Sequence, residues 1–168
     1  MKKQTRNIII TLVGLAVLSA GIMAFSSSFG NNPIASAGDA SLKISEKSWN
    51  FGTIPMSEGI VTREVQLSND SSNPMTITDM ETSCMCTTAQ VVHEDGAKSG
   101  IKGMPGHGGA SSLSETVAPG ETVTLLVNFD PNAHGPSGTG LINRTVSVKT
   151  NSAVQPEITL SFSGNVVK

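Results

Sequence analysis

Cys84 and Cys86 are the only thiols in the chain, and a single residue separates them. On an extended strand, side chains at i and i+2 leave the same face with Cα atoms about 6.5 to 7 Å apart, at the upper limit for a disulfide. If the segment bends, a small Cys84–Cys86 ring can close, and such a ring would be easily reduced, as befits a redox-active or switchable bond. Two thiolates on one face could instead converge on a soft ion, with Cu(I) favoured because thiolate and thioether ligands select it. Met80, Met85, Met104, His93 and His107 could complete that site. Met104 and His107 are the best placed, in a glycine-rich stretch able to fold back, so the metal set read from the sequence is Cys84, Cys86, Met104 and His107. A third reading is structural: the thiols are buried small hydrophobes at a strand end, or a disulfide pair of Cys84 and Cys86 that does no chemistry. The residues leave all three open.

Other chemistry finds little support. The spacing lacks a Cys-x2-Cys pair and the histidines lack the helical i, i+4 arrangement, which argues against a tetrahedral structural zinc. No nucleophile elbow, phosphate loop or zincin motif occurs, and the carboxylates are scattered singly, so the expectation is a non-enzymatic protein with no catalytic residues and no organic cofactor. His134 falls in the turn-like run Asn132-Ala133-His134-Gly135-Pro136 and reads as solvent-exposed. Charged residues make up 14% of the chain and the formal net charge is -2. That balance excludes a nucleic-acid footprint and an acid-rich disordered chain.

The elements that must position the thiols begin after a distinct N-terminal segment. Lys2, Lys3 and Arg6 precede an apolar run from Ile8 to Phe25, the pattern of an export signal that places the rest of the chain outside the cytoplasm. At about 1.5 Å per residue the run is just long enough to span a bilayer, which favours an uncleaved helical anchor in the cytoplasmic membrane. Ala35-Ser36-Ala37 offers the alternative, cleavage to a secreted or periplasmic form. Residues 26–40 read as a flexible tether of Ser, Asn, Gly and Ala, and residues 41–168 as the folded domain.

Within that domain the signal is period two. Val61, Val65 and Leu67, then Val123, Leu125, Val127 and Phe129, then Ile158, Leu160 and Phe162 alternate with polar residues as half-buried strands do. Further strands are expected at 42–45, 75–78, 87–92 and 142–149, the last with Arg144 intruding on the face of Ile142, Val146 and Val148. About seven strands with turn clusters between them predict an all-β, immunoglobulin-like antiparallel sandwich preceded by an N-terminal hydrophobic helix. The segment 93–115 breaks the rhythm with six glycines in 23 residues, and reads as a disordered or functional insertion. As a surface loop with few buried contacts, its removal from Gly96 to Ser114 would leave the domain folded.

The string Trp49-Asn50-Phe51-Gly52-Thr53-Ile54, followed by Gly59-Ile60-Val61, Leu67-Ser68-Asn69, Pro74-Met75-Thr76-Ile77, Ser83-Cys84-Met85-Cys86-Thr87, Ala118-Pro119-Gly120, Val127-Asn128-Phe129-Asp130 and Thr150-Asn151, resembles a bacterial family of exported domains of unknown function. The resemblance covers about residues 42 to 166. It implies a sandwich of the abnormal-spindle and hydin type and an extracytoplasmic place, and no reaction. Two departures are plain. Met85 stands where that family usually has Gly, and Thr87 and Pro119 are 32 residues apart where about a dozen is usual. The functional expectation is an extracytoplasmic contact module whose partner is an unidentified envelope or extracellular protein, with soft-metal binding as the alternative and a thiol-redox role third.

Overall fold

The computed structural model describes residues 37–107 and 109–168. The expected N-terminal helix at 1–25 and most of the expected tether, 26–36, lie outside the described residues.

Among the described residues nine strands form two sheets. One is four-stranded in the order β1-β3-β7-β5, from β1 (Leu42–Ile44), β3 (Val61–Asn69), β7 (Thr122–Phe129) and β5 (Thr87–Val92). The other is five-stranded in the order β2-β9-β8-β4-β6, from β2 (Ser48–Pro55), β9 (Glu157–Val167), β8 (Gly140–Thr150), β4 (Met75–Thr82) and β6 (Glu115–Val117). Period-two alternation puts Val65 and Leu67 of β3, Val123, Leu125 and Val127 of β7, and Ala89 and Val91 of β5 into one core with Ile77 and Met80 of β4, Val146 and Val148 of β8, and Ile158, Leu160 and Phe162 of β9. Burying each large aliphatic side chain contributes about 1.5–3 kcal/mol, so this shared layer is what holds the sheets together. Trp49 of β2 stacks on Phe162 with ring centroids 5.5 Å apart, and Phe129 from the opposite sheet meets Phe162 edge-on at 5.7 Å. Among the described residues no helix is long and apolar enough to cross a membrane.

Four sequence expectations need correction. The strand count among the described residues is nine, because β2 and β6 lack an alternating signal. In β2 the phase slips between Asn50 and Thr53, around Gly52 at φ 71°, so Trp49 and Ile54 are both buried although they sit on opposite parities. A bulge of this kind erases the period that a sequence reading relies on. The sandwich is not wholly antiparallel: β2 runs parallel to β9, because the chain passes from β1 in one sheet to β2 at the edge of the other. The described end of the tether belongs to the domain. Ala37 and Ala40 are buried, Ala37 N–H donates to Asn151 O at 3.2 Å, and Ser152 Oγ donates to Ala40 O at 2.6 Å.

The insertion is also not a bare surface loop. Ala89 and Lys102 exchange backbone hydrogen bonds at 2.8 and 2.9 Å, Ser99 N–H donates to Val91 O at 2.9 Å, and Thr82 N–H donates to Gly103 O at 3.3 Å. Lys102 Nζ lies 2.7 Å from Asp79 Oδ1. The segment therefore straps the open edge of β5 and reaches β4, covering backbone groups that an uncovered edge would leave unpaired.

Candidate functional site

The connection from β4 to β5, residues 83–86, carries the chain from one sheet to the other. Ser83 fastens it to β8: Ser83 N–H donates to Thr145 O at 3.0 Å, and Thr145 N–H donates to Ser83 Oγ at 2.9 Å. The backbone then turns, with Thr87 N–H donating to Cys84 O at 3.0 Å and the buried Thr82 hydroxyl donating toward Cys84 O and Thr87 O, both at 3.0 Å. Asp130 N–H, just past β7, donates to Cys86 O at 2.8 Å. These bonds replace the flat strand by a bend that brings the two Cα atoms to 5.2 Å, inside the disulfide range, and Cys84 and Cys86 are bonded to each other.

Each sulfur has its own polar partner. His134 Nε2 lies 3.1 Å from Cys84 Sγ, which also accepts the Cys86 N–H at 3.2 Å. Arg144 Nε–H donates to Cys86 Sγ at 3.3 Å, and the Thr87 hydroxyl lies 3.7 Å from the same atom. His134 is held by a succession of tight turns: Asn132 N–H donates to Asp130 Oδ1 at 2.8 Å, Gly135 N–H to Asn132 O at 2.9 Å and Gly138 N–H to Gly135 O at 3.0 Å. A Cβ at Gly138 would come 3.1 Å from His134 Cβ, so the lack of a side chain there gives the imidazole its seat. Arg144 shares the inner face of β8 with Ile142 and Val146, and its stem lies along that face while the guanidinium reaches the crossing.

Of the four sequence-derived metal candidates, the structure brings together Cys84 and Cys86. The imidazole that joins them is His134, not His107: Cys84 Sγ, Cys86 Sγ and His134 Nε2 all lie within 4.8 Å of one another. His107 is exposed and its backbone N–H donates to Met104 O at 3.1 Å. Met104 lines a separate shallow depression with Asp79, Lys102 and Pro105. With the bridge closed, neither sulfur is the thiolate that selects Cu(I). Met80 is wholly buried in the core, while Met85, between the cysteines, is 49% exposed.

His93 is engaged elsewhere. Its ring lies 2.7 Å from Glu121 Oε1 and 3.2 Å from Glu115 Oε2, clasping the start of the strap to its end. The Glu121 hydrogen bond, with that of Glu115 and both carboxylate charges, raises the His93 pKa against the opposing effect of burial. Glu121 is lowered in turn, first by His93 and then by the Ala118 N–H. The sequence reading missed His134 and Arg144 as partners of the sulfurs. Arg144 had left a trace, a charge on an otherwise apolar face; His134 left none, since a histidine in a glycine-proline turn looks like any solvated turn residue.

Residues 42–104 match the family described as Protein of unknown function (DUF1573). That stretch takes in the motifs from Trp49 to Thr87, including both cysteines; the later motifs of the resemblance lie beyond it. No curated protein matches the chain. Among solved structures, a protein of unknown function from Porphyromonas gingivalis W83 is similar at 15% identity and a TM-score of 0.56, over 80% of this chain and 51% of that one. The chain thus spans about half of that protein's length. VesB protease of Vibrio cholerae is similar at 15% identity and a TM-score of 0.50, over 74% of this chain and 32% of that one. The seventh PapD-like domain of human CEP192 aligns at 15% identity and a TM-score of 0.46, over 83% of this chain and 92% of that one. At such identities the likeness concerns the fold alone.

Proposed function

We propose that the chain works outside the cytoplasm as a non-enzymatic, immunoglobulin-like contact module for another envelope or extracellular protein, held at the cytoplasmic membrane by its N-terminal segment. The observation that carries the reading is the Cys84–Cys86 disulfide, which uses both cysteines of the chain. Disulfides persist in exported proteins and are kept reduced in the cytoplasm, so the bond agrees with the basic and apolar N-terminus. A comparable sandwich corresponds to 32% of the VesB protease chain, in keeping with a unit that serves within larger assemblies.

The contact surface lies on the outer face of the five-stranded sheet. Leu141 is 90% exposed there, at the rim of a shallow depression of about 410 Å³ lined by Asn50, Thr53, Asn143, Ser163 and Asn165. One projecting aliphatic side chain ringed by uncharged amides and hydroxyls suits an anchor-and-rim contact. The test combines compartment and surface. Intact mass of the chain recovered from cells, with and without alkylation, should show the Cys84–Cys86 disulfide, and a photo-crosslinker at Asn165 should give a discrete adduct that Leu141→Glu removes. Free thiols throughout the recovered chain, or an adduct pattern indifferent to Leu141→Glu, would defeat the reading.

A further inference from the structure

The Cys84–Cys86 bridge is an unusual staple. It closes a loop with a sequence separation of 2, which hardly restricts the unfolded chain and so contributes little as a cross-link. Both cysteines are buried, but Met85 between them is half exposed, and each sulfur faces a different nitrogen-bearing side chain. We propose that this bridge, with His134 and Arg144, is a thiol–disulfide exchange site that takes two electrons from an extracytoplasmic dithiol protein. This role is independent of the contact surface at Leu141.

The geometry assigns the order of events. Cys84 Sγ is the entry atom, since it lies against the exposed His134 ring while Cys86 Sγ lies against the Arg144 guanidinium that receives the leaving thiolate. A thiolate of the donor attacks Cys84 Sγ; the Cys84–Cys86 bond breaks, and its electron pair leaves on Cys86 Sγ. That leaving thiolate forms at the Arg144 guanidinium, which is always charged and already donates to it at 3.3 Å. The mixed disulfide now joins Cys84 to the donor. The donor's second thiolate attacks its own bonded sulfur, and Cys84 Sγ departs as a thiolate toward His134 Nε2, 3.1 Å away, and the Cys86 N–H. Of the two protons lost by the donor dithiol, one ends on Cys84 and the other passes to solvent, because Cys86 remains a thiolate on the Arg144 guanidinium. In sum, one disulfide and one dithiol give one dithiol and one disulfide, with the donor oxidised and this chain reduced. Exchange rates follow the stability of the leaving thiolate, so the two partners act where the chemistry needs them.

The experiment uses the full-length chain with dithiothreitol as the dithiol, alkylation of the products and intact mass, together with the β-sheet circular dichroism signal. The expected result is opening of the bridge in the folded protein. Arg144→Gln should shift the equilibrium toward the disulfide by about tenfold, because the reduced form loses a charge-assisted hydrogen bond, and Arg144→Lys should restore most of it. His134→Ala should slow reduction by about tenfold with a smaller change in the equilibrium. A bridge that opens only as the sheet signal is lost overturns the proposal, as do variants whose rate and equilibrium match the parent. Should Arg144→Gln fail to fold, His134→Ala, at an exposed position, decides by the same rate criterion.

Discussion

Arg144 Nε–H donates to Cys86 Sγ at 3.3 Å, and among the described residues Arg144 forms no ion pair with a carboxylate. The Nη1 of the same guanidinium donates to Asn143 O at 2.8 Å, a strong acceptor, whereas the disulfide sulfur facing Nε–H is a weak one. Arg144 is therefore fitted to what the sulfur becomes when the bridge opens more than to the closed state. Arg144→Leu should accordingly change the stability of the oxidised chain by no more than about 1 kcal/mol, since it exchanges the weak sulfur contact and an exposed hydrogen bond to Asn143 O for aliphatic packing beside Ile142 and Val146. Denaturant unfolding of the oxidised variant measures it, and a loss of several kcal/mol would make Arg144 a structural residue.

The bridge itself should matter little to folding. Cys84→Ser with Cys86→Ser removes a cross-link that closes a very short loop, while the turn keeps the Thr82, Thr87 and Asp130 hydrogen bonds to its backbone. The expected cost is below about 2 kcal/mol, at the low end for a disulfide. A variant with no cooperative unfolding transition would show that the bond, rather than these hydrogen bonds, makes the crossing.

Stability should decline as the solution turns alkaline. His93 is raised above its ordinary 6.5 by Glu121 first, then by Glu115. A raised histidine pKa gives stability that is complete below the unfolded value and is lost as pH rises through the folded one. Unfolding midpoints should therefore fall as pH rises past 6.5, and His93→Gln should flatten that slope. An unchanged slope in His93→Gln would assign the pH dependence to other groups.

The strands that alternate cleanly were legible in the sequence because a sheet buried on one face imposes period two; β3, β7 and β9 are found where Val65, Leu125 and Leu160 predict them. β2 was not, since the bulge near Gly52 breaks the period and its pairing with β9 is settled 110 or so residues away. The cysteines announced a site by spacing alone. Its partners did not, because His134 and Arg144 come to the sulfurs only when the β7–β8 connection and β8 fold against the crossing. A glycine-rich stretch able to fold back had favoured Met104 and His107, but the strap carries Met104 toward Asp79 and Lys102 and leaves His107 exposed.

That strap gives the last prediction. As a plain surface loop it would be dispensable, since closing a loop costs entropy that varies slowly with length. The structure makes it part of the sandwich. Ala89 N–H and O, Val91 N–H and O, and Thr82 N–H all bond to residues 99–103, and Leu113 is buried in the core. Lys102 adds a charge partner for Asp79: burial opposes ionisation there, but the Lys102 hydrogen bond, the Met80 N–H, and the charges of Lys102 and Lys149 outweigh it and hold the carboxyl below its usual value. Deleting Gly96 to Ser114 strips these partners from β5 and β4 together. At about 0.5–1.5 kcal/mol for each hydrogen bond, plus the core burial lost with Leu113 itself, the loss approaches the whole stability of a domain this size. The deletion should abolish the cooperative unfolding transition or leave the protein aggregated through the bared β5 edge. Met104→Leu with His107→Ala, in the same segment but outside these bonds, should stay within about 1 kcal/mol of the parent. A deletion variant that unfolds cooperatively at the parent's midpoint would return the segment to the status of a loop.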